Sequence, residues 1–96
     1  MNLDFNGEEE LKRKKKEVAK EFSNKWKLVG TFGDGYGGYS SWKYKGYELR
    51  NYHNQHHYQL IKDKEQLLWV SARAGLENIM FEVAEIMGEP LILTNT

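Results

Sequence analysis

The fold is decided by residues 39–53, YSSWKYKGYELRNYH. Aromatic residues recur in this segment at a density that is typical of β-strands, and Lys45-Gly46 near its centre is typical of a tight turn. We therefore predict one strand at Tyr39–Tyr44 and a second at Tyr47–His53, joined as an antiparallel hairpin.

Three further strands extend this hairpin on both sides. One strand is predicted at Trp26–Phe32, ahead of the hairpin, and two more at His56–Lys62 and Gln66–Ser71, behind it. Asn54-Gln55 and Lys64-Glu65 are the turns expected in the second half of the sheet. The pattern predicts an antiparallel meander, in which neighbouring strands follow one another along the chain.

One face of the predicted sheet carries the core. The tight turn places Trp42 opposite Leu49, which makes Trp42 a core residue rather than a contact residue. The alternation of side chains then puts Leu49, Leu60 and Trp69 on the same face. We expect this apolar face to pack against helices.

A helix is predicted on each side of the sheet. The first has Asn6 as its N-cap and ends near Ser23-Asn24. The second ends at Gly88, because Pro90 prevents its continuation. Its apolar residues recur at helical spacing: Leu76, Ile79, Met80, Val83, Ile86 and Met87.

These elements together predict an α+β fold, with an N-terminal helix, an antiparallel β-meander of four to five strands and a C-terminal amphipathic helix. The length of 96 residues fits one domain that spans residues 1–96. Leu91–Leu93 either adds a short edge strand or packs onto the core, and an edge strand would allow two copies to pair as a homodimer.

The composition excludes several classes of protein. Cysteine is absent, so disulfides and thiolate chemistry are excluded. The 14 basic and 14 acidic residues cancel, whereas dedicated nucleic-acid binders usually carry excess basic charge. The N-terminal residues lack the apolar run of a signal peptide, and no apolar stretch approaches the ~20 residues that cross a bilayer. We expect a cytoplasmic protein without membrane contacts.

A glycine-rich connection joins the first two strands. Residues 30–42, GTFGDGYGGYSSW, contain five of the nine glycines together with aromatic and serine residues, the composition of evolved binding loops. Residues 33–38 match the pattern G-x-G-x-x-G formally. A dinucleotide site needs a helix after that pattern, however, and here a strand follows. We therefore interpret the segment as a hairpin loop that contacts a partner.

The favoured function is a non-enzymatic binding or regulatory protein, of the inhibitor or accessory type, with another protein as its partner. Exposed aromatic side chains dominate interface energetics when they fill a pocket. The candidate contact residues in and beside the loop are Phe32, Asp34, Tyr36 and Tyr39. Glu77 and Glu82 of the second helix are secondary candidates, suited to a basic partner surface.

An alternative function is nucleic-acid binding. Lys12, Arg13 and Lys16 belong to a basic run in the first helix. Arg50 and Tyr52 lie on the tyrosine-rich sheet, where aromatic rings can stack on single-stranded bases. The simpler interpretation of the basic run is a solvated helix face, because consecutive positions spread around a helix and several of them can pair with preceding glutamates.

A third alternative is a small ribonuclease-like, nucleotide-binding or metal-binding protein. His53, His56 and His57 gather around one turn, although their alternation leaves only two ligands on one face. A ribonuclease-like cluster would combine Tyr52, His53, His56, Arg50 and Lys62. The neutral charge of the chain disfavours a ribonuclease, and we expect no cofactor, no metal and no enzymatic activity.

Overall fold

Five antiparallel strands form one open sheet, preceded by one helix and followed by another, which confirms the predicted α+β fold. The computed structural model describes the backbone of residues 3–93 and the side chains of residues 9–93. The elements are α1 (Leu3–Asn24), β1 (Lys27–Phe32), β2 (Tyr39–Tyr44), β3 (Tyr47–Tyr52), β4 (His57–Lys62), β5 (Glu65–Ser71) and α2 (Leu76–Ile86). The spatial order of the strands is their order in the sequence, so the sheet is a simple meander.

The β2–β3 hairpin forms as predicted. Trp42 is the strand partner of Leu49. Lys45 and Gly46 adopt positive φ angles of 51° and 84°, as the two-residue turns that match the twist of the strands require. The turn fixes the register of this pair, and the register decides which side chains face the helices.

Both helices pack on one face of the sheet, which we call the helix-bearing face. The ring of Trp26, just after α1, has its centroid 6.0 Å from that of Phe22 and 5.5 Å from that of Tyr44 in β2. The buried core residues are Ala19, Phe22, Trp26, Leu49, Leu60, Ile79, Met80, Val83 and Ala84. Burial of a large apolar side chain contributes about 1.5–3 kcal/mol, so this cluster joins the helices to the sheet. Neither helix of residues 3–93 covers the opposite face, which we call the open face.

The two helices differ in how well the sequence predicts their ends. α1 begins at Leu3, so the prediction that Asn6 caps it is wrong. α2 ends as predicted, because Gly88 has a φ of 76° and the backbone N–H of Glu89 donates to the carbonyl oxygen of Ala84 at 2.8 Å. Within residues 3–93, neither helix contains a stretch that is both long and apolar enough to cross a membrane.

Trp69 lies on the open face, and the prediction that it shares a face with Leu49 and Leu60 is wrong. The strand partner of Leu60 is Leu68, whereas the partner of Trp69 is Gln59. Side chains alternate between the two faces of a strand, so a difference of one residue moves Trp69 from the core to the opposite side of the sheet.

The cause of this difference is the β4–β5 connection. Its turn residues are Asp63 and Lys64, both with positive φ, rather than the predicted Lys64-Glu65. The strand pairing also shifts between Leu60 and Ile61, which inserts one extra residue into β5. The turn alone would pair Leu60 with Leu67 and leave Trp69 on the helix-bearing face, so the extra residue in β5 is what moves Trp69 to the open face. Neither feature follows from the spacing of apolar residues.

Residues 91–93 form no strand, and Leu91 instead packs against the core. Of the two alternatives for Leu91–Leu93, the edge strand is therefore wrong, and the observed arrangement has Leu91 packed onto the core with Ile92 72% exposed. The homodimer stays a prediction.

Leu60→Ala tests the described core against a matched surface leucine. Leu60 is 0% exposed, whereas Leu28 on β1 is 62% exposed. Removal of a buried leucine leaves a cavity, so we expect Leu60→Ala to lower the free energy of unfolding by about 2–5 kcal/mol and Leu28→Ala by less than ~0.5 kcal/mol. Urea unfolding followed by circular dichroism measures both values. Equal losses in the two variants would contradict this core.

Candidate binding face

A row of aromatic rings crosses the open face of the sheet, with one residue from each strand. We call Phe32, Tyr39, Tyr52, His57 and Trp69 the aromatic row. The ring centroids are 5.6 Å apart for Phe32 and Tyr39, 5.1 Å for Tyr39 and Tyr52, and 5.6 Å for Tyr52 and Trp69. The His57 ring stacks on that of Trp69 at 4.8 Å with an interplanar angle of 16°.

The strand register produces the aromatic row. Phe32 pairs with Tyr39, Tyr39 with Tyr52, and Tyr52 with His57, so these four residues are direct neighbours across successive strands. Trp69 reaches the row from β5. Residues that are direct partners in an antiparallel sheet point to the same face, which keeps the rings in contact.

The two ends of the aromatic row are its most accessible rings. Phe32 is 43% exposed and Trp69 is 42% exposed. Tyr39 and Tyr52 between them are half-buried, mainly because neighbouring rings cover one another. Contiguous exposed apolar surface of this kind is uncommon on monomeric proteins and usually marks an interaction site.

A chain of polar side chains runs beside the aromatic row. The hydroxyl of Ser41 and the Nε of Arg50 both donate to Oε2 of Glu48, at 2.7 and 2.8 Å. Arg50 Nη1 donates to the Tyr52 hydroxyl at 3.0 Å, and that hydroxyl donates to Oε1 of Gln59 at 2.9 Å. These bonds fix the orientation of the Tyr52 ring at the centre of the row.

The charges beside the aromatic row neutralise each other. Burial opposes the charged form of Glu48, but hydrogen bonds from Arg50 and Ser41 outweigh it and lower the pKa of that carboxyl. Burial likewise opposes the charge on Arg50, and the bonds to Glu48 and Tyr52 raise its pKa. The guanidinium also lies 4.3 Å from the centroid of the Tyr39 ring. The cation in the middle of the row is therefore already paired.

The glycine-rich loop is attached to the turn between β3 and β4, next to one end of the aromatic row. Its centre is a short 3-10 turn at Gly35–Gly37. The side-chain amide of Asn54 donates to the carbonyl oxygen of Gly35 at 2.5 Å, and that of Gln55 donates to the carbonyl oxygen of Tyr36 at 3.1 Å. The Tyr36 side chain is 72% exposed. The loop therefore presents Tyr36 to solvent from a backbone that is held in place.

Gly33 has a structural reason to be glycine. Its φ is +70°, and a Cβ atom there would lie 3.1 Å from the carbonyl oxygen of Gly37. Any other residue would be strained in this conformation and would crowd the backbone of the 3-10 turn. The glycine keeps the loop compact beside the sheet.

The residues predicted to contact a partner fall into two separate groups. Phe32 and Tyr39 belong to the aromatic row, and Tyr36 lies with the exposed Asp34 in the adjoining loop. Glu77 and Glu82 lie on α2, behind the sheet. The structure brings the aromatic candidates together and leaves the two glutamates on a different surface.

The residues predicted to contact nucleic acid are also divided. Arg50 and Tyr52 lie on the open face. Lys12, Arg13 and Lys16 lie on α1, which packs on the helix-bearing face; Arg13 is 3.9 Å from Glu10 and Lys16 is 4.0 Å from Glu77. The basic run and the aromatic row therefore form no common surface.

The histidines take part in separate contacts rather than in one metal site. His53 Nε2 lies 2.8 Å from the Ser40 hydroxyl, and His57 Nδ1 lies 2.7 Å from the carbonyl oxygen of Gln55. Among residues 9–93, whose side chains the structure describes, no group of three or more His, Cys, Asp or Glu side chains is placed to hold a metal ion.

The ribonuclease-like set is divided between the two faces. Lys62 lies on the helix-bearing face, where its Nζ is 4.5 Å from the centroid of the Tyr47 ring. Arg50 and Tyr52 lie on the open face, beside the aromatic row. The five residues of the set therefore do not surround one cleft.

Trp69 is the residue of this face that the sequence analysis missed. The apolar run of residues 67–70 does not alternate, so it fits either register. The sequence carries a signal for the turn, but not for the face of Trp69: a pair of opposite charges flanks the turn, since Lys62 is the strand partner of Glu65. That pair favours a two-residue turn at Asp63-Lys64, although it does not predict the extra residue in β5.

No protein-family model matches this chain, and neither a curated protein nor a solved structure is significantly similar to it. The function of the open face is therefore inferred from the arrangement and chemistry of its residues.

Glu48→Gln tests the charge pair beside the aromatic row. The folded-state pKa of Glu48 is lowered, so its contribution to stability is full above the unfolded-state pKa of about 4.3 and is lost as the pH falls through the lower folded-state pKa. We expect Glu48→Gln to lower the free energy of unfolding by roughly 1–3 kcal/mol at neutral pH.

The difference between wild type and Glu48→Gln should shrink as the pH falls below about 4.3. Urea unfolding at a series of pH values measures this difference. A difference that stays constant from neutral to acidic pH would show that the carboxylate charge contributes nothing.

Proposed function

We propose that this protein is a non-enzymatic binding module, of the inhibitor or accessory type, that contacts a partner protein through the aromatic row and the adjoining Tyr36 loop. The observation that carries the proposal is the uncovered row of rings across all five strands. We place the protein in the cytoplasm, which its cysteine-free sequence favours.

The composition of the open face supports a protein interface. Tyrosine, tryptophan, phenylalanine and arginine are the residue types enriched at the energetic centres of interfaces. Trp69 stacks on His57, and Tyr52 is hydrogen-bonded at its hydroxyl. Side chains that are already held in one orientation lose less conformational entropy on binding, which favours affinity.

The charges of the open face support a protein partner over a single-stranded nucleic acid. A single-strand binder combines stacking rings with cations that follow the phosphate backbone. Here the arginine beside the rings is paired with Glu48 at 2.8 Å, Lys27 and Lys43 lie at the opposite end of the strands, and the basic run of α1 lies on the other side of the sheet. Glu48 and Arg50 are committed to each other, which favours binding by this pair rather than acid–base chemistry.

Trp69→Ala tests this proposal. Loss of an exposed aromatic side chain that fills a pocket of the partner costs about 2 kcal/mol or more, so we expect affinity for the partner to fall roughly 30-fold. The measurement is affinity capture from native cells, followed by a binding isotherm with the captured protein. Trp69→Phe, which keeps a ring, should retain most of the affinity.

Leu76→Ala is the matched control, because Leu76 is a 51% exposed apolar residue on α2, behind the sheet. It should bind as the wild type does, and circular dichroism should show that all three variants are folded. Unchanged capture by a Tyr36→Ala/Trp69→Ala double variant would contradict the proposal. Loss of capture after nuclease treatment or at moderate salt would also contradict the proposal, because either result identifies a nucleic acid as the bridging ligand.

A further inference from the structure

Four lysines surround one cleft at the end of the strands opposite the aromatic row. Lys25 precedes β1, Lys27 begins it, Lys43 is near the end of β2, and Lys45 is in the β2–β3 turn. The cleft has a volume of about 320 Å³, and Tyr44 and Gly46 complete its lining.

The acidic groups close to this cleft do not balance its charge. Glu89 is shared by two of the lysines, with its carboxylate oxygens 3.8 Å from Lys25 Nζ and 3.2 Å from Lys45 Nζ. Glu48 is the strand partner of Lys43 and interacts with it electrostatically, although its hydrogen bonds go to Arg50 and Ser41. Lys27 and Lys43 form no ion pair with any residue of the described chain.

Lys27 and Lys43 are direct strand partners in the β1–β2 pairing. Like charges directly opposite each other destabilise an antiparallel pair. A local conflict with the stability of the fold is expected where a residue serves a function instead. An anion bound between the two ammonium groups would remove the repulsion.

We propose that this lysine cleft binds a phosphate group in its dianionic form. The phosphate oxygens would accept hydrogen bonds from the ammonium groups of Lys27 and Lys43. Lys25 and Lys45 would remain paired with Glu89 and add to the positive electrostatic potential of the cleft. Lysine binds phosphate as a compact charge with three donors, and a concave cationic surface concentrates anions.

The dianion fits the charge of the cleft better than a carboxylate does, because four lysines face Glu89 and the carboxylate of Glu48, which is already hydrogen-bonded to Arg50. A phosphate monoester has a second pKa of about 6, so it carries close to two negative charges at neutral pH. The volume of the cleft leaves room for part of the esterified molecule. This site is separate from the aromatic row, and its failure would leave the proposed protein interface untouched.

The test is a titration with phenyl phosphate at neutral pH, followed by two-dimensional ¹H–¹⁵N NMR of the full chain. Sodium chloride at the same ionic strength is the reference. We expect saturable shifts of the backbone amides of Lys27, Lys43 and Gly46, weakening as the pH falls below about 6. A parallel titration with inorganic phosphate separates the sources, since tighter binding of the ester indicates an esterified ligand and equal binding indicates the free ion.

The variant is Lys27→Gln/Lys43→Gln, matched by Lys12→Gln/Lys16→Gln, which removes the same charge from α1. The first should bind phenyl phosphate roughly tenfold or more weakly, and the second should bind it as the wild type does. Without phosphate, Lys27→Gln should melt roughly 1–4 °C above the wild type, because it removes the like-charge pair and keeps Lys43 opposite Glu48. Phenyl phosphate should raise the melting temperature of the wild type and leave that of the double variant unchanged.

Three results would overturn the proposal. The first is the absence of saturable shifts at the cleft. The second is equal weakening by the control pair on α1. The third is binding of an oligothymidylate, whose phosphodiesters carry one charge each, without binding of either phosphate. If the first result is found and Lys27→Gln still stabilises the protein, these lysines serve only to protect the edge strand from pairing.

Discussion

The turn at Lys45-Gly46 pairs Trp42 with Leu49, and the rest of the sheet is built outward from that contact. Side chains alternate along each strand, so this one register sends Trp42, Leu49 and Leu60 towards the helices. It sends Tyr39, Arg50 and Tyr52 to the open face. The core and the candidate binding face are therefore two consequences of the same pairing.

The helices explain why the open face is left uncovered. The buried side chains of α1 and α2 among residues 9–93 all join the cluster on the helix-bearing face, to which Phe22, Ile79 and Val83 belong together with Leu60. Neither helix within residues 3–93 crosses to the other side. An antiparallel sheet can leave one face in water, but that face is then usually polar. Here it carries aromatic rings from every strand, which is the departure that the proposed interface explains.

The open face carries aromatic side chains at one end of the strands and lysine side chains at the other. Aromatic rings gather beside the glycine-rich loop, the Glu48–Arg50 pair lies near the middle, and Lys27 and Lys43 lie at the far end. The middle pair lies between the aromatic row and the lysine cleft, and Glu48 is also the strand partner of Lys43. We therefore treat the two ends as sites for different ligands, a protein surface at one and a phosphate group at the other.

The sequence predicts the elements whose signals are local. The hairpin follows from Lys45-Gly46, and the end of α2 follows from Gly88 and Pro90. The position of Trp69 does not follow, because an apolar run without alternation fits both faces and the extra residue in β5 has no sequence signal. This register places Trp69 at the exposed end of the aromatic row.

The candidate sites depend, even more than the strands and helices do, on contacts between residues that are distant in the sequence. Phe32, Tyr36 and Tyr39 are predictable as a group because they are close in sequence. The attachment of their loop to the sheet is not predictable from the sequence. It depends on hydrogen bonds from Asn54 and Gln55, which lie in the turn between β3 and β4. The lysine cleft likewise joins residues of α1's end, two strands and a turn, which no spacing rule connects.

The most direct test of the central claim is the indole N–H spectrum of the three tryptophans, recorded by ¹H–¹⁵N NMR while the partner protein is added. Single Trp→Phe variants assign the signals. The account predicts that the Trp69 signal shifts or broadens, whereas that of Trp26, which is only 7% exposed, stays in place. A Trp69 signal that is unchanged at saturating partner, with shifts confined to Trp26 or to the amides of α2, would contradict it.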